Sequence, residues 1–308
     1  MNPERELSRL HFLFDNDNPD QVWTNAREVI RRISPNYNDA YLSEIFNDVV
    51  ELFYGDYPDY LRVNTPYHDL RHTMDVFLCA LRLMHGMRVN GERFENHEIS
   101  AVAIAALMHD VGYAQQRGDE AANGAKYTKT HVMRGIEFLR NYVDLQGWSV
   151  TWLLNAEAAI HCTNPALKLA DIEFENERSL LIAKLVGTAD LVGQMADRSY
   201  LEKLLFLYFE FKEAGIQDFS SMSEMLQRTH QFYQMTIQKL NTEFDSYYKH
   251  LTSHFVDWFG VESNYYMHSI DKNIDYLEKV LRESGAGGFL NNLKRRGIVN
   301  KALVLNAN

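Results

Sequence analysis

Residues 98–110, EISAVAIAALMHD, are apolar nearly all round and end in two ionisable side chains, His109 and Asp110. A helix with one apolar stripe lies on a surface, whereas a helix apolar on every side is buried. The stretch therefore predicts a central helix, with other helices packed around it. The rest of the chain supplies them. Residues 20–33 and 39–54 follow an amphipathic helical period, the second opening at Asn38 or Asp39 as its cap. HTMDVFLCALRLMHGM (72–87), HVMRGIEFLRNYV (131–143), WSVTWLLNAEAAIHCT (148–163) and SLLIAKLVGTADLVGQMAD (179–197) read the same way. A polar loop over 113–128 separates the central helix from the one that begins at His131. The last third carries long helical patterns loaded with aromatics: FLYFEF (206–211), QFYQMTIQKLNTEFDSYYKHL (231–251), FVDWFGV (255–261) and NYYMHSIDKNIDYLEKVL (264–281). GAGGFLNNLKRRG (285–297) follows them. At helical spacing such an aromatic stripe is core packing rather than a cofactor box. Strand signals are scarce and no linker or repeat divides the chain. The expected fold is an all-α multi-helix bundle, a single domain over 1–308. Residues 60–200 hold its chemistry, and the helices of 1–59 and 201–308 buttress them.

The 308 residues are 46% apolar and 24% charged, the balance of a soluble globular protein, with ample core. A formal net charge of −11 disfavours a nucleic-acid polymer or an anionic membrane as partner, because either needs a basic face. An acidic protein that handles phosphate needs local positive charge, and bound metal is an economical source. The two cysteines, Cys79 and Cys162, stand far apart in apolar helical segments and suggest neither a disulfide framework nor a thiolate metal cage. The opening MNPERELSRLHFLF lacks the apolar core of a signal peptide, and the longest uncharged apolar run, ISAVAIAALM, is half a bilayer span. A cytoplasmic location is the expectation, and a homodimer is allowed.

The chemistry concentrates in a few places. TPYHDLRHTMDV (65–76) sets His68 and His72 four apart, on one face of a helix and about 6 Å apart along its axis. Two adjacent imidazoles pack poorly in a core but suit a cation or a phosphate. His109 and Asp110 end the most apolar helix, where a carboxylate faces the wrong pole of the helix dipole. His131 opens a helix, His161 falls near the end of another, and Asp190 interrupts a segment of Leu, Val, Ala and Gly. Each residue alone has a structural explanation. Together they bring imidazoles and carboxylates inward from several apolar helices, as bundle metal sites do. A donor set without thiolate suits iron, manganese, zinc or nickel, with magnesium on the oxygen-rich side.

The order His72, His109–Asp110, His131, His161, Asp190 resembles the HD superfamily of metal-dependent phosphohydrolases. PYHDLRHTMDV is further similar to the PYHN-x-x-H-x-x-DV signature of its cyclic-nucleotide phosphodiesterases. The resemblance implies an HD-type bundle in which His72, His109, Asp110 and Asp190 hold a first divalent metal. Asp110 would bridge to a second metal, with His131 and His161 as its further ligands. His68 would be the general acid on the leaving oxygen. Three departures stand out. Asp69 replaces the usual asparagine, no purine-reading glutamine is identifiable, and Tyr113 follows HDVG where cyclic-di-GMP hydrolases carry lysine.

The implied chemistry is hydrolysis of a phosphate ester, most simply a phosphodiester such as a cyclic nucleotide, by metal-bound hydroxide. Paired cations clamp the phosphoryl oxygens, and His68 supplies the proton. The ligand would be a small, nucleotide-like phosphorylated molecule. Gln194 and Asp197 share a helix face with Asp190, Asp75 is a candidate acceptor from a ligand imidazole, and Tyr67 is a candidate pocket wall. Cys162, next to His161, points away as packing. Three other readings remain: a nucleotide monophosphatase or triphosphohydrolase, a non-catalytic sensor of metal or nucleotide, and a haem or di-iron protein.

Overall fold

The computed structural model describes residues 16–119, 122–148, 150–284, 292–293 and 295–299. Among them are eleven α-helices and no strand. These are α1 (Pro19–Ile33), α2 (Ala40–Tyr54), α3 (Leu70–Val89), α4 (Asn96–Met108), α5 (His131–Gln146) and α6 (Leu153–Cys162). They continue with α7 (Glu177–Ala196), α8 (Tyr200–Glu213), α9 (Met222–Thr242), α10 (His250–Phe259) and α11 (Tyr265–Ser284). The all-α bundle expected from the periodicity is therefore the observed architecture. Residues 1–15, most of 285–297 and residues 300–308 lie outside the described residues.

Local chemistry sets the helix starts. Asn18 accepts from the amides of Asp20 and Gln21, and Pro19 occupies the first turn, where its missing N–H costs nothing. Of the two expected caps for α2, Asn38 makes the bond, accepting from Ala40 N at 3.1 Å. Asp39 makes no capping bond, and its carboxylate instead pairs with Arg27 at 2.7 Å.

The centre of the bundle is α3, α4 and α7. Every residue of α3 from Arg71 to Met87 is buried, and α4 is buried from Ile99 to Met108 apart from Ser100. The apolar-all-round reading of 98–110 holds because α4 packs against α3, α6 and α7 at once. By length and composition α7 is apolar enough to cross a membrane, but it packs against α3, α6 and α11. The C-terminal helices buttress this centre, with α11 on α7 and α10 on α3. Gly86 permits the second contact, since a Cβ there would overlap the carbonyl oxygen of His250. Cys79 and Cys162 are free and buried.

The α3–α10 seam contains two buried imidazoles, His85 and His254, joined Nδ1 to Nδ1 at 2.9 Å. Asp257 lies 3.5 Å from His85 Nε2 and pairs with Arg32, whose guanidinium covers the Trp258 ring at 4.2 Å. One Nδ1 must donate and the other accept, so the pair tolerates one proton fewer than two imidazolium ions carry. Burial lowers the proton affinity of both, opposed at His85 by Asp257 and reinforced at His254 by Arg82. A histidine held below its unfolded value contributes stability above that value and loses it as the pH falls. Acidification below about pH 6.5 should therefore destabilise the fold by up to about 1.4 kcal/mol per pH unit for each proton excluded. Denaturant titrations from pH 7.5 to 5 check this. The slope should flatten in His254→Gln, and an unchanged slope would remove the pair from the acid response.

Candidate metal centre

Five helices converge on the predicted residues. The carboxylate of Asp69 caps α3 by accepting from His72 N at 2.9 Å, which fixes the register of that first turn. A carboxylate serves here as an asparagine would, and it also attracts Lys203 of α8, whose Nζ is 3.4 Å away. His109 is the C-terminal cap of α4, and Asp110 begins the turn that runs through the short 3-10 segment Val111–Tyr113. Gly112 lets this turn press onto the start of α5, because a Cβ would overlap the carbonyl oxygen of His131. Asp190 comes from α7, where it is one of few polar groups among buried residues.

The result is a cluster of electron-rich atoms. His72 Nε2 lies 3.2 Å from His109 Nε2, 3.4 Å from Asp110 Oδ2 and 3.4 Å from Asp190 Oδ1. His109 Nε2 is 3.2 Å from Asp110 Oδ2 and 3.8 Å from Asp190 Oδ1. One donor atom each from His72, His109 and Asp110 fall within 4.8 Å of one another, all three residues buried. His131 Nε2 approaches the other oxygen of Asp110 at 3.7 Å.

The outer nitrogens fix the orientation of two rings. His109 Nδ1 donates to Ala106 O at 2.9 Å, and His131 Nδ1 donates to Thr128 O at 2.7 Å. Each thereby turns its Nε2 towards Asp110, the arrangement that anchors metal-binding histidines elsewhere. Asp110 Oδ2 is buried without a hydrogen-bond partner. Burial alone would lower the affinity of His109 for a proton, yet the carboxylates of Asp110 and Asp190 push it up to about 9. Burial opposes the Asp110 charge, but His109 and His68 hold its carboxyl well below the usual range. The pocket favours positive charge, as a proton or as a cation.

His68 stands beside this cluster, its ring centroid 6.1 Å from that of His72. Its Nδ1 meets Glu210 Oε2 at 2.6 Å, and the other oxygen of Glu210 accepts from Tyr67 N at 2.6 Å. Burial lowers the proton affinity of His68, but Glu210 and Asp110 more than reverse the effect and raise it above the ordinary value. Tyr67 donates its hydroxyl to Gln194 Oε1 at 2.7 Å, so these two expected pocket residues engage each other. Gln194 in turn donates to the Asp190 carbonyl at 3.3 Å.

Not every expected residue arrives. His161 is half-buried on α6 and makes no side-chain hydrogen bond, ion pair or ring contact among the described residues, where its electrostatic neighbours are Glu157 and Arg140. Among the described residues, Asp110 and His131 are the expected second-ion ligands that come together, at 3.7 Å. Asp75 does not accept from a cluster imidazole: it takes a bond from Asn16 at 2.6 Å and faces Arg71 at 3.8 Å. Burial and the charge of Asp197 raise its carboxyl to about 7. Asp197 ends α7 and pairs with Lys203 at 3.2 Å, away from Asp190. A cleft of about 220 Å³ lined by Asp17, Arg62, Asp69 and Arg71, among others, includes none of the cluster residues.

Two participants were missed in the sequence. Glu210 was absorbed into an aromatic run, although a carboxylate there is costly unless paired, and its spacing of seven from Lys203 places both on one face of α8. Tyr113 registered only as a departure from a lysine motif.

Together these features define an all-helical protein with a buried histidine–carboxylate cluster at the meeting point of five helices. Residues 56–255 match the Npun_R2479-like family, and the chain belongs to that family. No curated protein matches the chain significantly.

Proposed function

We propose that this chain is an HD-type, metal-dependent phosphohydrolase acting on a phosphodiester of a small, nucleotide-like molecule. The observation that carries this reading is the buried convergence of Asp110 Oδ2 with the Nε2 atoms of His72 and His109, at 3.4 and 3.2 Å. Burying such an oxygen is costly unless something cationic satisfies it. The donor set fits iron, manganese, zinc, nickel or magnesium, held by His72, His109, Asp110 and Asp190. His131 lies on the other oxygen of Asp110 and would serve a second ion. When bound, such ions supply positive charge to phosphoryl oxygens and acidity to water.

The chain's own residues supply the rest. His68 gives its Nδ1 proton to Glu210 in a hydrogen bond, which leaves Nε2–H to protonate a leaving oxygen. Glu210 and Asp110 raise the proton affinity of His68 above that of a free imidazole, which favours the protonated, donating ring. Tyr67, anchored through its amide to the same glutamate and through its hydroxyl to Gln194, closes one wall. The low accessibility of the cluster excludes bulk water and strengthens each of these charges.

The test is elemental analysis of protein prepared without chelator, followed by hydrolysis assays. Cyclic nucleotides, nucleotides and generic phosphodiesters should be offered with manganese, iron, magnesium and zinc in parallel. At least one tightly held ion per chain and metal-dependent turnover of a phosphodiester are expected. A folded protein holding less than one ion under replete conditions would end the metallohydrolase reading. Metal-dependent release of phosphate from monoesters or triphosphates alone would replace the phosphodiester with those substrates.

A further inference from the structure

The phenol ring of Tyr113 lies nearly parallel to two imidazoles at once. Its centroid is 4.5 Å from that of His68 at an interplanar angle of 18°, and 4.5 Å from that of His131 at 15°. The two imidazoles stand 6.2 Å apart. The three centroids thus form a triangle and not a column, so the phenol is a platform that both imidazoles share. Tyr113 is itself immobilised: it is 1% exposed and belongs to the same tight turn as Asp110. Gly124 packs against its backbone so closely that a Cβ there would overlap the Tyr113 carbonyl oxygen.

We infer that Tyr113 is a positioning residue, which sets the height and tilt of the His68 ring relative to Asp110 and His131. The inference rests on the proposed hydrolysis for its kinetic consequence but on the ring geometry for its existence. Glu210 holds His68 by one nitrogen and Tyr67 meets the ring edge-on at 4.9 Å, which together leave the ring freedom to tilt about the Nδ1 contact. A parallel aromatic surface removes this freedom, and aromatic pairs at such separations are favourable beyond the area they bury. The rigid element is one turn long and begins at Asp110, so Tyr113 ties the proton donor to the carboxylate at the centre of the cluster. Misplacement of a reacting group by about 1 Å costs on the order of 100-fold in rate. A smaller aliphatic side chain without a ring, as in Tyr113→Leu, should therefore weaken proton delivery while the cluster persists.

The experiment compares wild type, Tyr113→Phe and Tyr113→Leu by two readouts. The first is spectroscopic and independent of activity. In histidine-labelled, metal-free protein, the ring Cε1–H resonances of His68 and His131 are assigned with His68→Gln and His131→Gln. Both should lie upfield through the ring current, remain there in Tyr113→Phe, and move downfield in Tyr113→Leu. The second readout is turnover of two phosphodiesters, one with an alkoxide and one with a nitrophenolate leaving group. Tyr113→Leu should lose about 10-fold or more in kcat on the first, and within 2-fold on the second, with KM and metal content unchanged. Tyr113→Phe should restore both. Resonances that ignore the loss of the ring would overturn the platform even in an active enzyme. Equal rate losses on both esters would overturn the positioning role. Shifts as expected in a protein that hydrolyses neither ester would keep the platform and refute the proposed reaction instead. Should Tyr113→Leu not fold, the wild-type and Tyr113→Phe shifts decide alone: values at the free-imidazole position overturn the inference.

Discussion

Asp110→Ala abolishes tight metal binding, whereas His131→Ala weakens it and His161→Ala leaves it nearly unchanged: this order is the largest effect expected. Asp110 lies within reach of three imidazoles, with His72 and His109 at 3.4 and 3.2 Å from Oδ2 and His131 at 3.7 Å from Oδ1. Its removal leaves the first site with two nitrogens and Asp190. Loss of a supporting outer partner typically costs a metal site about 10–100-fold in affinity, and loss of a shared charged ligand should exceed that. Manganese or zinc titration by calorimetry, with elemental analysis after desalting, measures it. Because His109 holds a proton up to about 9 beside Asp110 and Asp190, binding must displace that proton, so affinity should climb with pH towards 9. In Asp110→Ala the climb should be shallower, since the carboxylate that retains the proton is gone. Retention of both ions by Asp110→Ala, with loss in His131→Ala or His161→Ala, would refute the assignment of the bridge.

His68→Ala should keep its metal and lose turnover by about 10²–10⁴-fold on an ester with an alkoxide leaving group, the usual contribution of general acid catalysis. On a nitrophenyl phosphodiester the loss should be far smaller, because that leaving oxygen needs little protonation. His72→Ala differs in kind: it should lose metal and lose both activities together. The pH profile carries the sign. A general acid works while protonated, so the rate should fall as the pH rises through the affinity of His68, which lies above the ordinary value. Burial lowers that affinity and the carboxylates of Glu210 and Asp110 raise it, so Glu210→Gln should move the alkaline limb towards lower pH. Equal metal loss in His68→Ala and His72→Ala would make His68 a ligand. An alkaline limb unmoved in Glu210→Gln would separate the glutamate from proton delivery.

The helices were legible because their cause is local. An apolar period of 3.6 residues, a cap such as Asn18 or Asn38, and a stretch like 98–110 without a polar face are properties of adjacent residues. The pairing of His68 with His72 was legible for the same reason, since four residues make one turn and one face. The burial of His109, Asp110 and Asp190 could be anticipated from their apolar neighbours, because ionisable groups in such segments are stable only when something compensates them.

Which groups compensate which was a tertiary matter. Glu210 reaches His68 across 142 positions of chain, a contact set by where α8 places Glu210 and Lys203 against residues 67–69 ahead of α3. Asp75 and Asp197 have the spacing of supporting residues, but Asn16 ahead of α1, Arg71 of α3 and Lys203 of α8 meet them instead of an imidazole. His161 has the expected place in the chain order, yet α6 leaves it beside Glu157 and Arg140. Sequence by itself determined an all-helical chain and the residue types that gather at its centre, since periodicity and the cost of buried charge act within one segment. Only the packing of α3, α4, α5, α7 and α8 decided the partners, because a hydrogen bond or ligand set a few ångströms across depends on how separate helices rotate and approach, which no single helix encodes.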